Sequence, residues 1–90
     1  GIAQLNNDIS LVEIFPNPSE GIFYVNMQQM NRQNLQIKVY DMLGREILQN
    51  NSKSLGERYN IDLSKQPNGI YFVHLKNDTQ LTVKKIVVHK

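Results

Sequence analysis

The 90-residue chain contains no cysteine and no tryptophan, and it has a single alanine. Without cysteine it can form neither a disulfide framework nor a thiolate metal site, and it lacks a cysteine nucleophile. No apolar run approaches the length of about 18–20 residues that a membrane-spanning helix needs. These absences indicate one small domain whose core must be stable without covalent cross-links. Because the chain starts at Gly1 rather than at a methionine, we expect a module of a longer protein.

The residues that are abundant favour strands over helices. Asparagine and glutamine together supply 19 of the 90 residues, while the best helix former occurs once. Asparagine side chains compete with helical backbone hydrogen bonds, and the β-branched and aromatic residues that dominate the apolar content pack well on sheets. The composition therefore predicts an all-β chain and excludes a helical bundle.

Apolar and polar positions alternate in short segments that recur about every ten residues, separated by turn residues. The predicted strands are residues 11–15, 22–27, 35–40, 45–49, 57–63, 70–76 and 81–89. Seven short strands at this spacing predict a seven-stranded antiparallel immunoglobulin-like β-sandwich. We expect residues 1–10 to be a linker or N-terminal extension and residues 11–90 to form the domain.

Proline, asparagine, aspartate and glycine mark the turns between these strands. The predicted structural turn residues are Pro16, Asn17, Pro18, Asp41, Gly44, Pro67 and Gly69. Proline fixes its own φ and restricts the residue before it to extended conformations, so residues 16–18 should end one strand and start the next. Gly44 and Gly69 are expected to adopt backbone angles that other residues rarely take.

The hydrophobic pattern changes phase within the last predicted strand. Leu81 and Val83 share a face, but an unbroken alternation places Lys85 on that face and sends Ile86 to the other. The pattern therefore predicts either a β-bulge at residues 84–85 or looser packing of this terminal segment.

Positive charge is concentrated at the end of the chain. Residues 1–75 carry six lysines and arginines against seven acids, a net charge of −1, whereas residues 76–90 carry four lysines against one acid, a net charge of +3. Lysines on a terminal strand are typical of a solvated sheet edge that resists pairing. The charges are too few, and not interleaved with aromatic residues, so we expect no nucleic-acid partner.

No group of residues predicts catalysis or metal binding. The two histidines, His74 and His89, lie on separate predicted strands without a suitably spaced carboxylate, and zinc sites need three or four ligands. The serines lack the glycine-flanked elbow of hydrolases, and the glycines are too dispersed to form a phosphate-binding loop. We therefore expect no catalytic residue, cofactor, metal or small-molecule ligand.

Five motifs follow one another in a specific order. They are Ile-Phe-Pro-Asn-Pro at 14–18, Ile-Lys-Val-Tyr-Asp-Met-Leu-Gly-Arg-Glu-Ile at 37–47, Ile-Asp-Leu-Ser at 61–64, Pro-Asn-Gly-Ile-Tyr-Phe-Val at 67–73 and Val-Lys-Lys-Ile-Val-Val at 83–88. Over about residues 11–90 the series resembles the type A C-terminal sorting domain of the type IX secretion system of certain Gram-negative bacteria. One departure is Gln66, which stands where that family usually has leucine.

The resemblance implies a non-catalytic secretion signal at the end of a longer cargo protein. It implies that the cargo enters the periplasm, that the type IX translocon and shuttle proteins carry it to the cell surface or the medium, and that a sortase-like cysteine protease commonly removes the signal. In that family the last two strands hold much of the export signal. The recognition residues implied here are Gly69, Tyr71, Lys84, Lys85, Ile86, Val87, Val88 and Lys90.

The residues themselves suggest how two parts of this signal behave. Tyr71 is predicted to be a core ring whose hydroxyl reaches a polar rim. The apolar residues 86–88, flanked by lysines on the last strand, offer backbone donors and acceptors, so strand addition to a partner's sheet is a hypothesis, with the lysines guiding the encounter. The same edge could pair two copies of the chain.

Two other functions remain open from the sequence. A β-sandwich can also be a cell-surface carbohydrate-binding or adhesion module, which would normally present exposed aromatic residues or a metal. Tyr24, Tyr40 and Phe72 are predicted to point outward without clustering. The domain could also be a purely structural spacer.

Overall fold

A computed structural model describes residues 8–27, 30–51 and 58–90. Within them a short 3₁₀ turn, Ile9–Leu11, precedes β1 (Glu13–Phe15), β2 (Ile22–Asn26), β3 (Gln36–Tyr40), β4 (Glu46–Asn51), β5 (Arg58–Asp62), β6 (Gly69–Lys76) and β7 (Leu81–Val88). The prediction of an all-β chain with seven strands is confirmed. The first predicted strand is shortened because Asp8 caps the 3₁₀ turn by accepting a hydrogen bond from the Ser10 N–H.

The strands form two antiparallel sheets. One sheet has the order β1-β2-β5 and the other has the order β4-β3-β6-β7. Strand β6 therefore lies between β3 and β7, and β7 occupies one edge of the four-stranded sheet. The two sheets pack their apolar faces together.

A single hydrophobic core fills the space between the sheets. The fully buried side chains from the two sheets include Phe23, Val25, Ile37, Val39, Ile61, Val73, Leu75 and Ile86, which occupy alternate positions along their strands. Burying a side chain of this kind contributes about 1.5–3 kcal/mol before conformational entropy is counted. Ile9 joins the core from the 3₁₀ turn, and its N–H donates to the Gln80 side chain at 3.0 Å, which fixes the start of the described chain beside the β6–β7 turn.

Of the two alternatives for the last strand, a β-bulge or looser packing, the β-bulge is wrong. β7 pairs with β6 in an unbroken register over its whole length. Ile86 and Val88 are buried, while Leu81 and Val83 lie on the outer face with 58% and 48% of their surfaces exposed. No bulge is needed because Lys84 lies on the inward side of the strand. Its ammonium donates to the Ser10 carbonyl, in the 3₁₀ turn, at 2.6 Å. A lysine can cover apolar surface with its stem while its charge reaches the rim.

Both predicted turn glycines have the expected positive φ. Gly44 closes the β3–β4 turn with its N–H donating to the Asp41 carbonyl at 3.1 Å, and its φ is +83°. Gly69 has a φ of +153° at the start of β6. Both conformations favour glycine because they bring a side-chain Cβ against the backbone.

A third glycine was not singled out by the sequence. Gly21 has a φ of +149°, and a Cβ placed on it would lie 2.6 Å from the Cα of Ser64. The close approach arises because the start of β2 touches the chain after β5, where the Leu63 N–H donates to the Gly21 carbonyl at 2.7 Å. Contact between these two backbones leaves no room for a side chain.

We predict that Gly21→Ala lowers the free energy of unfolding by about 3 kcal/mol or more, because a strained φ is combined with a backbone clash. Gly44→Ala is the matched control, since its φ is also positive but, apart from Gly44 itself and its two chain neighbours, no residue has an atom within 4 Å of the added Cβ. This control should lose only about 1 kcal/mol. Urea unfolding of both variants, followed by circular dichroism, measures the difference, and equal losses would contradict the clash.

Candidate recognition site on the terminal strand

The loop between β1 and β2 covers the outer edge of the second half of β7. The Asn17 side chain donates to the Lys85 carbonyl and accepts from the Val87 N–H, both at 3.0 Å. The Ser19 N–H then donates to the Val87 carbonyl at 3.0 Å, and the Ser19 carbonyl accepts from His89 at 2.8 Å. These four hydrogen bonds satisfy an edge that would otherwise be open.

The prolines of this loop separate β1 from β2, as the sequence predicted. β1 ends immediately before Pro16, and β2 begins after Pro18, with both preceding peptide bonds cis. The pairing of Asn17 with β7 was not predicted, because no spacing in the sequence connects residue 17 with residues 85–87. The hypothesis that residues 86–88 offer open backbone for strand addition is therefore wrong, because the outward main-chain groups of Val87 are already bonded to this loop.

Three of the eight implied recognition residues belong to the core. Tyr71, Ile86 and Val88 are 4%, 0% and 1% exposed. The Tyr71 hydroxyl donates to the Pro67 carbonyl at 2.7 Å, and burial raises the pKa of this phenol. The prediction of a core ring with its hydroxyl at a polar rim is confirmed, and Pro67 lies in the turn before β6 as expected.

Two of the recognition lysines are held by main-chain carbonyls. The Lys84 ammonium donates to Ser10, as described above. The Lys90 ammonium donates to the carbonyls of Ser64 and Gln66, each at 2.8 Å, and so fastens the end of the chain to the β5–β6 loop. Gln66, the departure from the usual leucine, takes part in this contact through its main chain.

The remaining candidates lie on the surface of the β6–β7 pair. Lys85 is exposed, and within the described residues its ammonium has no hydrogen-bond or ion-pair partner. Val87 is half-buried on the same outer face, and Gly69 is half-buried opposite Val88 in the neighbouring strand. The structure therefore brings the candidates together on one strand pair but gives them different contacts.

The β3–β4 turn is closed by a carboxylate. Asp41 accepts hydrogen bonds from the N–H groups of Leu43 and Arg45 and from the Arg45 guanidinium, all at 2.9 Å. The bond from the Arg45 N–H is the main reason why the pKa of the Asp41 carboxyl lies below its ordinary value. Asp41 thus has the turn role that the sequence predicted, with Met42 and Leu43 exposed at the tip.

The outward aromatic residues differ from the expectation. Tyr40 and Phe72 lie opposite each other on β3 and β6, and the Tyr40 ring contacts His74 with centroids 4.5 Å apart. They therefore cluster, although the rings of Tyr40 and His74 are tilted by 56° and do not form a flat platform. Tyr24 lies on the other sheet, 6.1 Å from Phe15 between ring centroids.

The described residues contain no group of three or more histidines and acids placed to hold a metal ion. In the same part of the chain, no helix is long and apolar enough to cross a membrane.

Residues 13–89 match the family model of the secretion system C-terminal sorting domain. The chain belongs to this family. Its function is accordingly that of a C-terminal signal for type IX secretion, and the carbohydrate-binding or adhesion alternative is not favoured. None of the curated proteins matches the sorting domain in sequence.

The sorting domain is similar in fold to a solved protein of the same secretion system. That protein is PorZ of Porphyromonas gingivalis, described as an essential bacterial surface component of the type-IX secretion system, with a TM-score of 0.68 and 14% sequence identity. The match covers 92% of this chain but only 12% of the solved chain. Such low identity shows a shared fold and nothing more about function.

We predict that Asn17→Ala lowers the free energy of unfolding by about 1–2 kcal/mol, because two hydrogen bonds to β7 are lost. The amide hydrogen of Val87 should exchange faster in this variant. Asn60→Ala is the control, since Asn60 is exposed on β5, away from β7. A loss no larger than that of the control, measured by urea unfolding, would show that the Asn17 contacts contribute nothing.

We predict that Asp41→Asn makes the free energy of unfolding depend less on pH. A carboxyl whose pKa is lower in the folded chain contributes stability above its unfolded pKa, and this contribution is lost as the pH falls through the folded pKa. The urea midpoint of the unmodified domain should therefore fall further between about pH 7 and about pH 3 than that of the variant. Equal falls would show that the Asp41 carboxylate is not stabilised by folding.

Proposed function

We propose that the secretion machinery reads the sorting domain through the outer surface of β7, with Lys85 and Val87 as contact residues. The single observation that supports this choice is that the Lys85 ammonium has no partner within the described residues, whereas those of Lys84 and Lys90 are already hydrogen-bonded. In this proposal Tyr71, Ile86, Val88, Lys84 and Lys90 act by holding the strand in place, and Gly69 by allowing the turn into β6.

The proposed partners are the type IX translocon and its shuttle proteins. The net charge of +3 on residues 76–90 would steer encounters with acidic surfaces, an effect that acts mainly on the association rate. The domain would act without catalysis, travel through the periplasm with an upstream cargo, and be removed at the surface by a sortase-like cysteine protease. Membership of the sorting-domain family supports this route.

We also propose the boundary between cargo linker and domain. The sequence suggested a linker over residues 1–10, but Ile9 is fully buried and Asp8 accepts a hydrogen bond from the Gln80 side chain. We therefore propose that Asp8 and Ile9 belong to the folded unit and not to the linker.

The finer class of the fold is inferred to be immunoglobulin-like. In such sandwiches the sixth strand carries a tyrosine near its start whose hydroxyl bonds to backbone a few residues upstream. Tyr71 and the Pro67 carbonyl have this arrangement. Strands β1, β2 and β5 share one sheet while β3, β6 and β7 share the other, as in that class, whereas β4 joins β3 instead of the first sheet.

The test fuses residues 1–90 to a periplasm-directed fluorescent protein in a host with a type IX secretion system. We expect the fusion to reach the surface and a version lacking residues 81–90 to be retained. Since that deletion removes a whole strand, Lys85→Glu is the sharper variant, and we expect it to reduce surface fluorescence by about tenfold.

Lys76→Glu is the matched control because Lys76 is also exposed, on the strand beside β7. Circular dichroism of the purified variants checks that both remain folded. Normal export of the deleted fusion would overturn the signal function of the last strand. Equal export of the two lysine variants would overturn the role of Lys85.

A further inference from the structure

The first half of β7 has an open backbone edge. In a strand the N–H and C=O of one residue point to the same side, and those of the next residue point to the other. Since both main-chain groups of Val87 bond to the β1–β2 loop, those of Leu81 and Val83 face the same outer edge. Within the described residues, these outward groups of Leu81 and Val83 have no hydrogen-bond partner.

The edge is open because the chain changes sheets beside it. The β1–β2 loop runs parallel to β7, as the bridge between Ser19 and Val88 shows, but the preceding strand β1 pairs with β2 in the opposite sheet. The separation leaves a groove of about 460 Å³ between β1 and β7. On β7 the groove is lined by residues 84–86, and its partly exposed apolar lining comes from Ile14 and Phe15 of β1.

The charges around the groove favour an acidic occupant. Lys84 and Lys85 both line it, and in the described part of the chain the Lys85 ammonium has no hydrogen-bond or ion-pair partner. Glu13 is the acid among the lining residues, and it lies on β1 of the opposite sheet. Pairing two copies of the chain through β7 would bring together two segments of net charge +3, which is unfavourable. The charge therefore favours a different, acidic chain over a second copy.

We propose that residues 81–85 accept an extended acidic segment of a protein partner as an added strand beside β7. The main chain of that segment pairs with the outward groups of Leu81 and Val83, its apolar side chains enter the groove, and its carboxylates meet Lys85. Main-chain pairing of this kind gives affinity, and alternate side chains give specificity. This inference rests on the proposed function in one respect: the partner is taken to be part of the secretion machinery.

The test titrates the isotope-labelled 90-residue domain with a synthetic peptide of alternating valine and glutamate, about ten residues long. We expect NMR shift changes concentrated on the amides of residues 81–85, slower exchange of the Val83 amide hydrogen, and affinity that falls as salt is added. A peptide of alternating valine and lysine is the charge control and should bind at least about tenfold more weakly.

Two variants separate main-chain pairing from charge. Val83→Pro removes an N–H that faces the open edge without removing a bond to β6, and proline is tolerated at such edge positions. We expect it to weaken binding of the acidic peptide about tenfold, whereas Val83→Thr, which keeps the N–H and the branched side chain, should bind normally. Lys85→Glu should reverse the preference so that the valine–lysine peptide binds more tightly.

Several outcomes would overturn the strand-acceptor proposal. They are shifts confined to another surface, unchanged binding by both Val83→Pro and Lys85→Glu, equal binding of the two peptides, and self-association of the domain through β7 in place of peptide binding. Failure of peptide binding while Lys85→Glu still blocks export would leave the proposed function intact. Normal export without residues 81–90 would remove that function whether or not the peptide binds.

Discussion

The contact on which the rest of the structure depends is the hydrogen bonding between the β1–β2 loop and β7. A terminal edge strand can bury Ile86 and Val88 only if it is held against both sheets. Asn17 and Ser19 provide this by pairing with the β7 main chain from a loop whose two ends belong to the other sheet. Without these bonds, the outer edge of the second half of β7 would have no main-chain partner among the described residues.

The sequence predicts those features of the fold that depend on residues close together in the chain, and it misses those that depend on residues far apart. Alternation and turn residues are local signals, so seven strands and the turn at Asp41 and Gly44 were predicted from the chain itself. The alternation in β7 led to a mistaken β-bulge because the apolar Leu81 and Val83 lie on the outer face while the stem of Lys84 lies inward. The bonds of Asn17 and the close approach at Gly21 join segments distant in sequence, and no local pattern contains them.

The same distinction applies to the recognition residues. Resemblance to the sorting-domain family pointed to a set of positions on the last two strands, and these positions do lie together. Shared location is compatible with different roles, however, because Tyr71 is a core residue while Lys85 faces solvent. The side-chain partners that separate these roles, such as the carbonyls that hold Lys90, become visible only in three dimensions.

The first and last described residues are held at different places in the fold. Asp8 and Ile9 bind Gln80 at the β6–β7 turn, whereas Lys90 is tied to the β5–β6 loop at the opposite end of the strands. Asp8 and Lys90 therefore lie at opposite ends of the β6–β7 strand pair. The first residues of β7 therefore lie beside the start of the described chain, whereas its last residues lie beside the β5–β6 loop, so the two halves of one strand meet different surroundings.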